Sequence, residues 1–344
     1  MSDAEPIGIG VLGAADIAWR RSIPAIERCE QLRLVAVASR TLDKAEPFAD
    51  RFGCAAVAGY ERLLERDDVQ AVYVPLPNAL HEEWADAALR AGKHVLVEKS
   101  LTVSATAAEE LVATARRSSL AFMENFAFLH HTQHDRVRAL VADGAIGTPL
   151  SFSSSFGIPR TAPTLIRYSR ELAGGALREI GCYPVRAAQL FLGDDIRVVG
   201  SRLRHEPADG VDVAGSALLS DGAGVTAHCD FGLTHSYRNT YAIWGSEGRI
   251  EVDWAFTPPP ETRPLIRLHH ADSREERVLP ASDQFLGMLT TFAEACAEPA
   301  AHERFGDDAV RQAALLESIA RRSDAEEGEG PCPDQLSRSP HVTA

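Results

Sequence analysis

The chain has 344 residues, is 45% hydrophobic and 24% charged, and carries a formal net charge of −14. That length allows two domains of ordinary size, and the balance is that of a soluble globular protein. The acidic charge, with no basic stripe to offset it, excludes a nucleic-acid partner, and no apolar run is long enough to span a bilayer.

The N-terminus, Met1-Ser2-Asp3-Ala4-Glu5-Pro6, lacks the basic-then-apolar profile of a signal peptide, so the expected location is the cytoplasm. Cys29, Cys54, Cys182, Cys229, Cys296 and Cys332 show no C-x-x-C spacing and read as free thiols. Residues 7–12 are the first predicted strand. A helix follows over 16–29, bent or shortened by Pro24. A strand over 32–38 leads to a helix over 42–52 that stops at Gly53. Residues 69–74 form a third core strand, closed by Pro75 and Pro77. A helix over 81–91, a strand over 94–97, a helix opened by Ser104 with its body at 107–117, and a strand over 121–123 complete the run. Strand and helix in strict alternation predict a parallel sheet covered on both faces.

The pattern then changes. After a helix near 134–143 come strand-like runs at 150–156, 196–203, 213–219, 225–231, 240–244, 250–254 and 265–269. Turn signals such as Asp221-Gly222 separate several of them. The fold class is therefore α/β: an N-terminal Rossmann domain (1–124) plus an α+β domain (125–322) with a large, mostly antiparallel open sheet. Helices near 283–297 and 307–322 close the second domain. Residues 323–344 are polar and turn-rich and read as a disordered tail.

The turn after the first strand reads Gly13-Ala14-Ala15-Asp16-Ile17-Ala18. Of the G-x-G-x-x-G fingerprint only Gly13 survives, with Ala15 and Ala18 in the other two places. Gly13 permits the tight turn, and the helix N-terminus offers N–H groups to a pyrophosphate. Ala15 adds a methyl where backbone meets phosphate. The end of the second strand discriminates between cofactors. An acidic residue there binds a ribose 2′-hydroxyl. This chain has Ser39-Arg40, followed by Lys44, and a hydroxyl with a guanidinium suits a 2′-phosphate. The expected cofactor is NADP(H).

Three segments converge on the crevice of such a fold: 75–81, Glu98-Lys99 and 174–183. The first offers Pro75, Leu76, Asn78 and His81, the last opening a helix as a cofactor contact or a cap. Lys99, at the carboxyl end of a parallel strand, points into the ligand crevice. If 174–183 is helical, Glu179 and Tyr183 share a face. Arg160, Arg167 and Tyr168, in the long segment before them, are candidates for a substrate diphosphate. His130, His131 and His134 read as structural, because no carboxylate or cysteine completes a metal set at motif spacing. Trp244 and Trp254 read as core or interface packing.

Gly10-Val11-Leu12-Gly13, Pro75-Leu76-Pro77-Asn78, Gly92-Lys93-His94-Val95-Leu96-Val97-Glu98-Lys99 and Gly174-Gly175-Ala176-Leu177 with Gly181-Cys182-Tyr183 carry a resemblance. Over roughly residues 6–322 the chain resembles the Gfo/Idh/MocA family of oxidoreductases. Within that family it is most similar to NADP-dependent sugar-nucleotide 3-ketoreductases of deoxysugar biosynthesis, through Trp19-Arg20-Arg21, Glu124-Asn125-Phe126 and Trp244-Gly245-Ser246-Glu247-Gly248 among other stretches. The resemblance implies hydride transfer at a sugar-like carbinol, with Lys99 and Tyr183 catalytic and Glu179 as partner carboxylate. It implies a dTDP-linked 3,4-diketo-2,6-dideoxyhexose as substrate, and a homodimer or homotetramer built through the C-terminal sheet. Ser100 stands where the family has proline, which loosens the turn, and Glu179 where it has aspartate. Burial and a cationic neighbour are expected to lower the pKa values of Lys99 and Tyr183, with Lys99 favouring the phenolate form of Tyr183 once the proton has left. Two other readings stand beside this one: a dehydrogenase of a free sugar, inositol or dihydrodiol, and a nucleotide-binding sensor without catalysis. Retention of Lys99 and Tyr183 speaks against the sensor.

Overall fold

The computed structural model describes residues 5–162, 165–206 and 210–328. Six parallel strands form the first sheet: β1 (Ile7–Leu12), β2 (Leu32–Ser39), β3 (Ala55–Ala58), β4 (Ala71–Val74), β5 (His94–Glu98) and β6 (Phe122–Asn125), in the order β3-β2-β1-β4-β5-β6. Val72, Tyr73, Val74, Val95, Leu96 and Val97 are fully buried, as strands covered on both faces must be. The order reverses between β1 and β4, which opens a crevice at their carboxyl ends. Gly13, Pro75 and Lys99 follow directly from β1, β4 and β5.

The helix predicted over 16–29 is broken. A π-helical turn (Ala18–Ser22) runs into one short α-turn (Ile23–Ile26) with Pro24 near its start. Leu42–Phe52 ends at Gly53 in the left-handed conformation (φ 65°). Ser104 caps helix Ala105–Arg117 by accepting from Ala107 N.

The second sheet has eight strands: β7 (Pro149–Gly157), β8 (Arg197–His205), β9 (Asp212–Ser220), β10 (Thr226–Gly232), β11 (Arg238–Gly245), β12 (Arg249–Asp253), β13 (Leu265–His269) and β14 (Arg274–Val278). Their order is β14-β13-β12-β11-β7-β10-β9-β8, and within this sheet β10 with β7 is the one parallel pair among the described residues. One face packs on the helices Cys182–Leu192 and Arg304–Gly328. On the other, alternate residues point outward, and Trp244 is 66% exposed.

Two assignments need correction. Helix Gln284–Ala297 does not close the second domain: its Met288, Leu289 and Phe292 pack with Ile9, Ile23 and Leu96 in the core of the first sheet. Apolar periodicity finds such a helix but not the core it joins. The last helix also runs past residue 322 to Gly328, and Ser323 is buried with its hydroxyl accepting from Leu203 N at 2.8 Å. Of the expected tail, residues 329–344, Cys332 included, lie outside the described residues. The other five cysteines are free.

Candidate active site

The two sheets meet at a cleft of about 1280 Å³, large enough for a cofactor and a second ligand. Its first wall is the turn after β1. Gly13 sits at φ 133°, and a Cβ there would lie 2.9 Å from Leu76 Cδ2, so only glycine fits this approach. Ala15, Asp16 and Ile17 continue the wall, and Ser39, Arg40 and Lys44 line the cleft past β2. A tight glycine turn opening a helix, with Arg40 and Lys44 rather than Asp43 lining the cleft past β2, fits a dinucleotide bearing a 2′-phosphate.

Glu98 and Lys99 form the floor. Glu98 Oε1 accepts from Tyr73 OH at 2.7 Å and from Asn125 Nδ2 at 2.6 Å, while Ser22 Oγ donates to Tyr73 OH at 3.0 Å. β1's helix, β4, β5 and β6 are thereby locked around one carboxylate. Lys99 Nζ crosses the cleft and donates to the main-chain oxygen of Glu179 at 3.1 Å. It also lies 5.6 Å from the ring centroid of Tyr183. Residues Leu177–Gly181 form a π-helical turn feeding helix Cys182–Leu192. Such turns recur at functional sites. Tyr183 is wedged among Phe126, Phe128, Phe156 and Phe256 at 5.3–5.9 Å between ring centroids. Among the described residues its hydroxyl has no hydrogen-bond partner and lines the cleft.

The cleft brings together most of the residues singled out from sequence: Gly13, Ala15, Asp16, Ile17, Ser39, Arg40, Lys44, Pro75, Leu76, Asn78, Glu98, Lys99, Arg167, Glu179 and Tyr183. Asn78 Nδ2 donates to Glu179 Oε1 at 3.2 Å and to Ala173 O at 3.1 Å, tying the two domains. Three candidates lie elsewhere. His81 is fully buried, with Nδ1 2.8 Å from Ser100 O and Nε2 2.7 Å from Leu76 O, so it braces the loops and does not face a cofactor. Arg160 is consumed by an ion pair with Glu206. Tyr168 is buried, and its hydroxyl points to Leu233 O. Ser100 does not loosen its turn: it is buried, and its hydroxyl donates to Arg178 O at 3.1 Å. Arg21, Asn125, Phe156 and Phe256 also line the cleft; they stand in stretches that carry the resemblance, but sequence reasoning assigned them no site role because no spaced motif marks them as ligands.

Residues 7–126 match the model of the Gfo/Idh/MocA oxidoreductase family with its NAD-binding Rossmann fold, and residues 134–251 match that family's C-terminal domain. The chain belongs to the Gfo/Idh/MocA family of oxidoreductases. A dTDP-3,4-didehydro-2,6-dideoxy-alpha-D-glucose 3-reductase from Actinomadura kijaniata is 49% identical to it, over 92% of this chain and 96% of the relative. A solved 3-ketoreductase from the same organism, in complex with NADP and TDP-benzene, superposes with a TM-score of 0.90 at 48% identity, covering 92% of this chain and 98% of that one. More distant is a D-xylose 1-dehydrogenase (NADP(+)) from Haloferax volcanii, 37% identical over 73% of this chain and 77% of the relative.

The electrostatics of this Gfo/Idh/MocA site differ from the sequence expectation. Burial is the largest single influence on Lys99 and opposes its charge, but the acidic groups around it, Glu179 first, together outweigh it, and the pKa stands above that of an ordinary lysine. Burial likewise pushes the Tyr183 hydroxyl up, and Lys99 pulls it back only in part. Both groups are therefore protonated at neutral pH, one as a cation and one as a neutral donor. The anticipated lowering fails because Lys99 shares its field with a carboxylate while Tyr183 sits in an aromatic cage. Behind them, burial raises Glu124 to about 7, although its Oε1 accepts from Leu101 N at 2.8 Å. The three-histidine cluster holds no metal set among the described residues. His134 instead bridges Tyr241 OH and Ala255 O, both at 3.0 Å.

Proposed function

We propose that this chain is an NADPH-dependent reductase of the C-3 keto group of a dTDP-linked 3,4-diketo-2,6-dideoxyhexose, acting in the cytoplasm in deoxysugar (natural-product) biosynthesis. The observation that carries the reading is the convergence of Lys99 and Tyr183 on one cleft, beside a glycine turn and an Arg40–Lys44 pair suited to NADP. The names and bound ligands of the relatives point the same way.

Gly13, Ala15, Asp16 and Ile17 would cradle the cofactor diphosphate, and Ser39, Arg40 and Lys44 the 2′-phosphate. NADPH, when bound, supplies the hydride. The protein's own residues do the rest. Lys99, held cationic, places positive charge at the carbonyl oxygen as its negative charge develops. Tyr183 donates the proton to that oxygen. An alkoxide is more basic than a phenolate, so the transfer runs downhill even from a hydroxyl whose pKa is raised. Asn78 and Glu179 hold the two halves of the site in register. The phenylalanines around Tyr183 exclude water from the reacting carbon.

Exposed Trp244, Leu150 and Val199 on the open sheet support assembly as a homodimer or homotetramer through that face. A second reading, oxidation of a free sugar, keeps the same residues and is favoured by the xylose dehydrogenase likeness. NADPH consumption with keto-sugar nucleotides, set against NADP⁺ reduction by free sugars, separates the two.

A further inference from the structure

The cleft holds more cations than the cofactor reading uses. Arg20 is paired with Asp16, Arg28 with Asp283 at 2.5 Å, and Lys99 is held against Glu179. Arg40 and Lys44 lie past β2, at the expected ribose phosphate. Arg21 and Arg167 remain. Both line the cleft, and neither has an ion pair or side-chain hydrogen bond among the described residues. In an acidic protein, an unpaired guanidinium inside a ligand cleft marks a place for an anion.

Arg21 stands on the π-turn Ala18–Ser22, just beyond the phosphate loop. The wall beside it can be traced through its contacts. The Arg28–Asp283 pair pins this segment to the start of helix Gln284–Ala297. Gln284 Nε2 donates to Phe256 O at 3.1 Å, and Thr257 Oγ1 lies 3.4 Å from Tyr237 OH. Tyr237 is 47% exposed and lines the cleft. This arm therefore combines a free guanidinium with the half-exposed phenol ring of Tyr237, which offers a flat face to a base. The flank of Arg167 is formed by Leu165 and Ile166, which offer no ring.

We propose that this arm is the nucleotide subsite, and that Arg21, a residue of the dinucleotide domain, binds the diphosphate of the substrate. The inference rests on the sugar-nucleotide reading above and adds a residue that binds substrate across from Glu179 and Tyr183 of the second domain. Two diphosphates could claim Arg21, that of the nucleotide sugar and that of the cofactor, and binding separates them.

Titration calorimetry of the full chain with dTDP and with NADPH is the test, comparing wild type, Arg21→Ala and Arg21→Lys. Loss of a charge-assisted contact is expected to weaken dTDP on the order of tenfold to a hundredfold in Arg21→Ala. Arg21→Lys is expected to recover part of that loss. NADPH should bind both variants within about twofold of wild type, which also shows that they fold. Equal weakening of NADPH and dTDP would assign Arg21 to the cofactor and overturn the proposal. So would unchanged dTDP binding in Arg21→Ala. A wild-type protein that binds NADPH but not dTDP contradicts the sugar-nucleotide reading itself.

Discussion

Lys99 and Tyr183 differ in what their surroundings permit. Lys99 is pinned to the Glu179 carbonyl and stays charged, so it polarises; Tyr183 is uncharged and its hydroxyl has no hydrogen-bond partner among the described residues, so it can give up a proton. Lys99→Met is expected to lower kcat on the order of 10²–10³-fold, the usual cost of losing one group that meets developing charge. Tyr183→Phe is expected to lower it on the order of 10²-fold with little change in NADPH affinity. A Tyr183→Phe enzyme that keeps most of its kcat would transfer the donor role to Lys99. Arg40→Ala is expected to weaken NADPH by about tenfold while leaving NADH nearly unchanged, because only the former carries the 2′-phosphate. Binding titrations with the two nucleotides check this. These residues were legible because each stands at a strand end or in a spaced motif. His81, Arg160 and Tyr168 misled for one reason: the same residue type serves a brace, an ion pair or a core as readily as a ligand, and sequence does not carry the partner.

At the scale of elements, the parallel strands were the most legible part, since burial on both faces writes continuous apolar runs. β3 was not foreseen: Ala55–Ala58 is four small residues, too little pattern for either period. β14 escaped for the opposite reason, because Arg274–Val278 is nearly all charged and stands at a sheet edge. Helix Ala18–Ser22 took a π turn that no residue type announces. β6 brings its own titration. Glu124, at about 7 against an ordinary 4.5, keeps a proton in the folded chain that the unfolded chain has already released between those values. Its contribution to stability is therefore greatest below pH 4.5 and falls as pH rises to about 7, by about 2–4 kcal/mol. Glu124→Gln keeps an acceptor for Leu101 N and removes that penalty. It is expected to unfold at higher urea than wild type at pH 8, with the gap closing near pH 4.5. A gap independent of pH would show that Glu124 is not held protonated.

Across the whole molecule, buried histidines oppose Glu124. Burial holds His130 down to about 4 and His134 to about 3, against an ordinary 6.5. A neutral ring in the fold and a protonated one in the unfolded chain mean that stability is lost as pH falls through 6.5 toward those values. Together the two histidines outweigh Glu124, so thermal melts are expected to show a net fall in stability from pH 6.5 to 4. A flat or rising profile would remove them from the balance. The open sheet leaves Trp244, Leu150 and Val199 exposed; under the proposed assembly through that face, Trp244→Glu is expected to lower the mass seen by light scattering. The change from alternating to strand-rich pattern foretold two different sheets, but helix Gln284–Ala297 returns to the core of the first, which ties the two halves more closely than chain order suggests. That tie sets Lys99 against Glu179 and makes the cleft a single site. The most direct test of its purpose is NADPH oxidation with a dTDP-linked 3,4-diketo-2,6-dideoxyhexose, read by absorbance and by identification of the product. Stoichiometric NADPH loss with a new hydroxyl at C-3 is the result expected; no consumption of NADPH, alongside NADP⁺ reduction by a free sugar, would contradict it.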